Sequence, residues 1–199
     1  MYANDNANWY SGVDYMKNSN ERILKEEVAR TMVLLYQRGQ VTPTAGNVSA
    51  RLPRSKDFWI TPRGSFKADV SPNTLVKCSL DGTRLKGGKQ PSIETPTHAV
   101  VYRTRQDVNA VIHAHCPIST GMALSGVNIE SITADAAILL RKVSTIPYLL
   151  SGRELADGVG REIKDHDVIM VLHHGAIAVG KDLLEALSRI EVLESTAVI

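Results

Sequence analysis

Between Asn20 and Arg38, apolar side chains stand at Ile23, Leu24, Val28, Met32, Leu35 and Tyr36, a spacing that lines one face of a helix. Asn20 is a natural cap and Gly39 a natural stop, so the pattern predicts an amphipathic helix over 20–38. The period then changes. Asn47 to Leu52 alternates polar with apolar, while Phe58 to Thr61 and Thr74 to Leu80 are short β-type runs, the second closed by the turn pair Asp81-Gly82. Helical spacing returns over Thr95 to Arg105, Ile118 to Leu124, Gly152 to Lys164 and Asp182 to Val198. Among these helices lie two continuous apolar strands, Val108 to Ala114 and Val168 to Leu172, the latter with Ala176 to Val179 as its hairpin partner. Short strands interspersed with helices predict an α/β protein with a largely antiparallel or mixed sheet. Residues 1–19, rich in Asn, Ser and Tyr without an apolar period, predict a flexible arm ahead of one domain spanning 20–199.

Composition narrows the class. Hydrophobic residues make up 43% and charged residues 22%, an ordinary globular balance that excludes a disordered chain. The net charge of +2, with no basic block, argues against a nucleic-acid partner. No apolar run reaches the ~18 to 20 residues that span a bilayer, and the polar start, Met1 to Trp9, lacks the regions of a signal peptide. A soluble, cytoplasmic protein without membrane partners is expected. The two cysteines, Cys78 and Cys116, have no CxxC spacing, so they predict buried free thiols in a reducing compartment rather than a disulfide framework.

Candidate chemistry clusters at the strand ends. In His113-Ala114-His115 the two imidazoles are two residues apart and so project from one face of a strand, where they can grip one ion. His174, in His173-His174-Gly175 after the second apolar strand, is a candidate third ligand; three ligands and an open position make a catalytic metal site. Taken singly, each histidine also suits a core or surface position. Glu94 lies at the start of the helix before the His113 strand, where a carboxylate serves as a dipole partner, a fourth ligand or a general base. Thr44-Ala45-Gly46-Asn47 and Thr61-Pro62-Arg63-Gly64-Ser65 combine glycine with hydrogen-bond donors, as anion sites and ordinary turns both do.

In this order, Thr44 to Arg51, Ile60 to Ser65, Leu80 to Gly82, Pro91 to His98, Asp107 to His115, His173 to Gly175 and Gly180 to Leu183 resemble the class II aldolase and adducin family. The resemblance runs from about Ile23 to Ala197 and takes in fuculose-phosphate aldolase and ribulose-5-phosphate 4-epimerase. It implies a three-layer α/β/α sandwich with a central, mainly antiparallel sheet, assembled as a homotetramer with its sites between subunits. It also implies a zinc ion, or Mn2+ or Co2+ in its stead, on His113, His115 and His174, with Glu94 as an acid/base that also touches the metal. Asn47, Gly64 and Ser92, joined by Arg63, match the phosphate pocket. The implied reaction is aldol cleavage of a small ketose phosphate such as fuculose 1-phosphate through a metal-stabilised enediolate.

The sequence departs from the family in three places. Ile93 stands where relatives carry a second Ser, and Arg63 stands in place of Thr or Ser, offering a fork for a phosphate or a carboxylate. The family's catalytic tyrosine has no counterpart near Thr133 to Ala136, where Asp135 resembles the acidic residue of the epimerase branch and is the candidate in its place. A decarboxylase or an epimerase on the same metal site is the alternative reading. An adducin-like interaction domain is the other, and the retained histidines and Glu94 weigh against it.

Overall fold

The structure, a computed structural model, describes the backbone from Trp9 onward and the side chains from Ser19 onward. Helix α1 (Trp9–Gln37) is longer than its apolar period predicts: it starts at Trp9, so residues 9–19 are helical where a flexible arm is expected. Residues 1–8 of that arm lie outside the described residues. Once Val28, Met32 and Leu35 are packed, each preceding residue adds a helical bond without a new nucleus, and no proline in 9–19 stops the growth.

Strands β1 (Asn47–Ala50), β2 (Asp57–Ile60), β3 (Val76–Ser79) and β4 (Arg84–Lys86) follow, with a 3-10 turn, Lys67–Asp69, between β2 and β3. Next come α2 (Thr95–Thr104), β5 (Ala110–Ala114), α3 (Pro117–Leu124), α4 (Ala134–Leu139), β6 (Val143–Ile146) and α5 (Arg153–Glu162). The β7 (Val168–Val171) and β8 (Gly175–Gly180) hairpin and α6 (Leu183–Val198) close the chain. Asp182 caps α6 by accepting from the Glu185 amide. The eight strands form one sheet in the order β4-β3-β2-β1-β5-β8-β7-β6, antiparallel throughout except for the parallel β6–β7 pair. β4, α4 and β6 have no counterpart in the sequence pattern. Each is too brief to display a period, and β4 and α4 are also largely exposed.

Alternation across the strands sorts the core into two layers. Ala110, Ile112, Val168, Met170, Ala176 and Ala178 pack with residues of α1 and α6, whereas Val111, Ile169, Val171, Ile177 and Val179 pack with residues of α2 and α5. The expected sandwich, with helices on both faces of a mainly antiparallel sheet, is therefore present. His113 shares the parity of Val111 and so faces the α2 layer. The buried Arg51 fixes the α2–β5 connection by donating to the carbonyls of Tyr102, Val108 and Arg105. No described helix is long and apolar enough to cross a membrane.

Candidate metal centre and substrate cleft

The three histidines converge because two strand ends and one glycine permit it. His113 ends β5, with Asn47 of β1 as its register partner on one side and Ile177 of β8 on the other. The β7–β8 turn carries His174 against the same strand end. Gly175 has φ +156°, and a Cβ there would stand 2.3 Å from the Ala114 carbonyl oxygen, so only glycine admits so close an approach. As a result, one side-chain nitrogen from each of His113, His115 and His174 lies within 4.8 Å of the others. The Nε2 atoms of His113 and His115 are 2.9 Å apart, close to the about 3.3 Å that two nitrogens keep around one tetrahedral zinc.

These residues suit a divalent metal. His113 Nδ1 donates to the Ala176 carbonyl at 3.0 Å, which leaves the Nε2 lone pair aimed at the centre. Burial pushes both His113 and His115 below the ordinary histidine range, His115 to about 3, so both are neutral at physiological pH, the form that can ligate a metal. Three imidazoles beside a carboxylate form a donor set that fits zinc and leaves room for substrate oxygen.

Glu94, at the N-cap of α2, is buried against this triad. Its Oε2 accepts from Asn47 Nδ2 at 2.8 Å and lies 3.4 Å from His113 Nε2. Its Oε1 accepts from Ser151 Oγ at 3.0 Å and lies 3.2 Å from His174 Nε2. Burial opposes the charge, but hydrogen bonds from the His174 and Asn47 side chains help to hold the carboxyl well below the usual carboxylate range.

Behind Glu94 runs a buried polar chain that the sequence analysis does not single out. His98 contacts Asn47 Oδ1 at 2.5 Å through Nε2 and Ser49 Oγ at 2.6 Å through Nδ1, and Ser49 Oγ meets the Tyr102 hydroxyl at 2.7 Å. Desolvation keeps His98 neutral, with its pKa lowered to about 3. The signal for these residues lies in their spacing: Asn47 and Ser49 are two apart on a strand, and Glu94, His98 and Tyr102 are four apart on a helix.

The histidine cluster opens into a cleft of about 320 Å³. Asn47, Arg63, Gly64, Ser92 and Glu94 all line it with the three histidines, so the anion and metal candidates share one cavity. Roles divide within it. Both polar atoms of the Asn47 side chain are taken up by Glu94 and His98, whereas Gly64 has open space where a Cβ would stand and Arg63 is exposed. Ser92 Oγ accepts from the Glu94 amide. Asp135 is exposed on the first turn of α4 and is not among the lining residues of its own chain. Ser151 and Lys67, which the sequence analysis does not select, do line the cleft. Cys116 is buried and pushed up to about 12 by its surroundings, an inert thiol.

Comparison with known proteins is consistent along the chain. The family profile described as Class II Aldolase and Adducin N-terminal domain matches residues 26–199. The chain is 34% identical over 174 residues to L-fuculose phosphate aldolase of Methanocaldococcus jannaschii, covering 87% of this chain and 93% of that one. It is 33% identical over 183 residues to 3-oxo-tetronate 4-phosphate decarboxylase of Escherichia coli, covering 89% and 85%. The crystal structure of L-fuculose-1-phosphate aldolase from Thermus thermophilus superposes with a TM-score of 0.78 at 27% identity, covering 87% of this chain and 90% of the other.

Proposed function

The chain belongs to the class II aldolase and adducin family, and from that premise we propose that it is a zinc-dependent carbon–carbon lyase cleaving a small keto-sugar phosphate by a retro-aldol reaction. The observation that carries this reading is the ionised, fully hydrogen-bonded Glu94 standing 3.4 Å and 3.2 Å from two of three converging imidazoles, inside a cleft with cations on its walls. His113, His115 and His174 would hold the metal, with Glu94 able to join them; when bound, it supplies Lewis acidity toward the substrate's carbonyl and hydroxyl oxygens. Glu94 is the group that moves a proton at the reacting carbon, and Asn47 and Ser151 aim its two oxygens. Gly64, Ser92 and Arg63 receive the phosphate, the first by close backbone approach and the last by its guanidinium fork.

Asp135 takes part from a neighbouring subunit, in a homotetramer whose sites lie between copies; its exposure on α4 supports this reading. A reducing, cytoplasmic setting suits two free buried thiols. A second reading, decarboxylation of a phosphorylated 3-oxo acid, is favoured by the presence of two cations, Arg63 and Lys67, in one small cleft.

One preparation tests both readings. Elemental analysis should find about one zinc per chain, and ketose 1-phosphates should release dihydroxyacetone phosphate and an aldehyde at a rate that a chelator abolishes. Glu94→Gln should slow turnover about 10²-fold or more while retaining metal. Release of CO2 from a 3-oxo acid phosphate with no ketose cleavage would select the second reading. A protein with neither metal nor turnover would overturn both.

A further inference from the structure

Lys67 is only 2% exposed, yet its ammonium has no hydrogen-bond or ion-pair partner among the described residues, and it lines the cleft. Its ammonium is not among the fully buried unpartnered polar atoms and so meets the cleft, and a cation withdrawn this far from bulk water is rarely kept without an anion to meet it. Glu94 is not that anion: its two oxygens accept from Asn47 and Ser151, and Lys67 makes no contact with it within 4.0 Å. Nor does Lys67 duplicate Arg63, which is exposed. The charge of Lys67 is felt at both Glu94 and His115, so it lies toward the reacting end of the cleft rather than at its outer wall. Ile93, half exposed in the same cavity, offers no charge or hydroxyl there.

We propose that Lys67 is a specificity-determining residue that binds a carboxylate on the substrate, so that the cleft takes a doubly anionic ligand, a sugar acid phosphate, with Arg63 and Ser92 on the phosphate and Lys67 on the carboxylate. The inference rests on the lyase reading of this cleft and holds whether the bond cleaved leads to an aldehyde or to CO2. Two cations on opposite roles in about 320 Å³ match a short substrate charged at both ends.

Two inert probes that differ only at one terminus test it. Erythronate 4-phosphate carries a carboxylate where erythritol 4-phosphate carries a hydroxymethyl group, and neither has a carbonyl to react. By calorimetry on the zinc-loaded protein, the acid should bind at least about tenfold tighter than the alcohol, as a charge-assisted contact predicts. Lys67→Met should erase that preference while leaving the alcohol's affinity within about twofold, and Lys67→Arg should retain part of it. Unfolding curves for each variant show that the chain is folded.

Equal binding of the two probes by the wild type overturns the inference and leaves the lyase reading standing. A Lys67→Met preference equal to that of the wild type also overturns it, since the metal would then hold the carboxylate. Parallel loss of both probes in Lys67→Met makes Lys67 a phosphate anchor and overturns it too. If neither probe binds the loaded wild type, the inference falls, while the lyase reading stands or falls on the metal content and turnover of the same preparation.

Discussion

Glu94 and Lys67 are both buried ionisable groups in one cleft, and their surroundings treat them in opposite ways. Glu94 is given hydrogen-bond donors and stays charged, whereas Lys67 is given none and is pushed down to about 8, chiefly by desolvation and only partly offset by Glu94. The sign of the resulting stability effect follows from linkage. Below pH 8 the side chain is protonated in both states and the folded protein carries the full cost. Between about 8 and the ordinary value of 10.5 the unfolded chain binds more protons than the native one, so stability rises with pH and the cost is relieved. Lys67→Met should therefore be more stable than the wild type at pH 7, with the gap narrowing by pH 10, as urea unfolding of the metal-free proteins would measure. Of the charged groups in the cavity, Glu94 opposes the shift, and neutral His115 and exposed Arg63 leave it unpaired. A gap that does not change with pH would show that Lys67 is not the titrating group.

At the level of elements, the positions of the site residues follow from registers that were partly visible in the sequence. The two-residue step of His113 and His115, the apolar strands before them and the helical spacing from Asp182 onward all read directly from the chain, because periodicity is local. The chain of His98, Ser49 and Tyr102 was present in the same periods, but pairing a strand face with a helix face is a tertiary fact. Nor does any local pattern reveal that Asn47 spends its amide on Glu94 and His98 rather than on an anion. Lys67 is not legible in the chain, because a lysine just after the Gly64-Ser65 pair has the pattern of a solvated turn until the fold closes over it. Gly175 is where element geometry controls the site most sharply. Gly175→Ala would force a Cβ against the Ala114 carbonyl and push the β7–β8 turn off β5. The expected loss is more than about 1 kcal/mol of stability, together with weaker zinc retention, because His174 moves with the turn. Thermal unfolding and metal content after dialysis measure the two effects, and unchanged zinc content would show that the turn tolerates the shift without moving His174.

Across the whole molecule, apolar exposure is unevenly spread. Of the fourteen large hydrophobic side chains that are exposed among the described residues, seven fall between Ile118 and Leu150: Ile118, Leu124, Val127, Ile132, Ile138, Tyr148 and Leu150. Such a concentration is what a subunit interface covers. Ile138, 73% exposed, stands one helical step from Asp135 on α4, so a copy docked over Ile138 would meet Asp135 as well. All the metal candidates come from one chain, and Asp135 does not line that chain's own cleft. Assembly should therefore govern turnover without governing zinc binding. Light scattering should find the wild type as an oligomer, and Ile138→Glu should lower its mass because a charge cannot be buried in an apolar interface without a partner. Zinc per chain should stay unchanged in that variant while turnover falls in step with the loss of the oligomer. A monomeric wild type with full turnover would mean that one chain completes its own site, and Asp135 would then have no part in the chemistry.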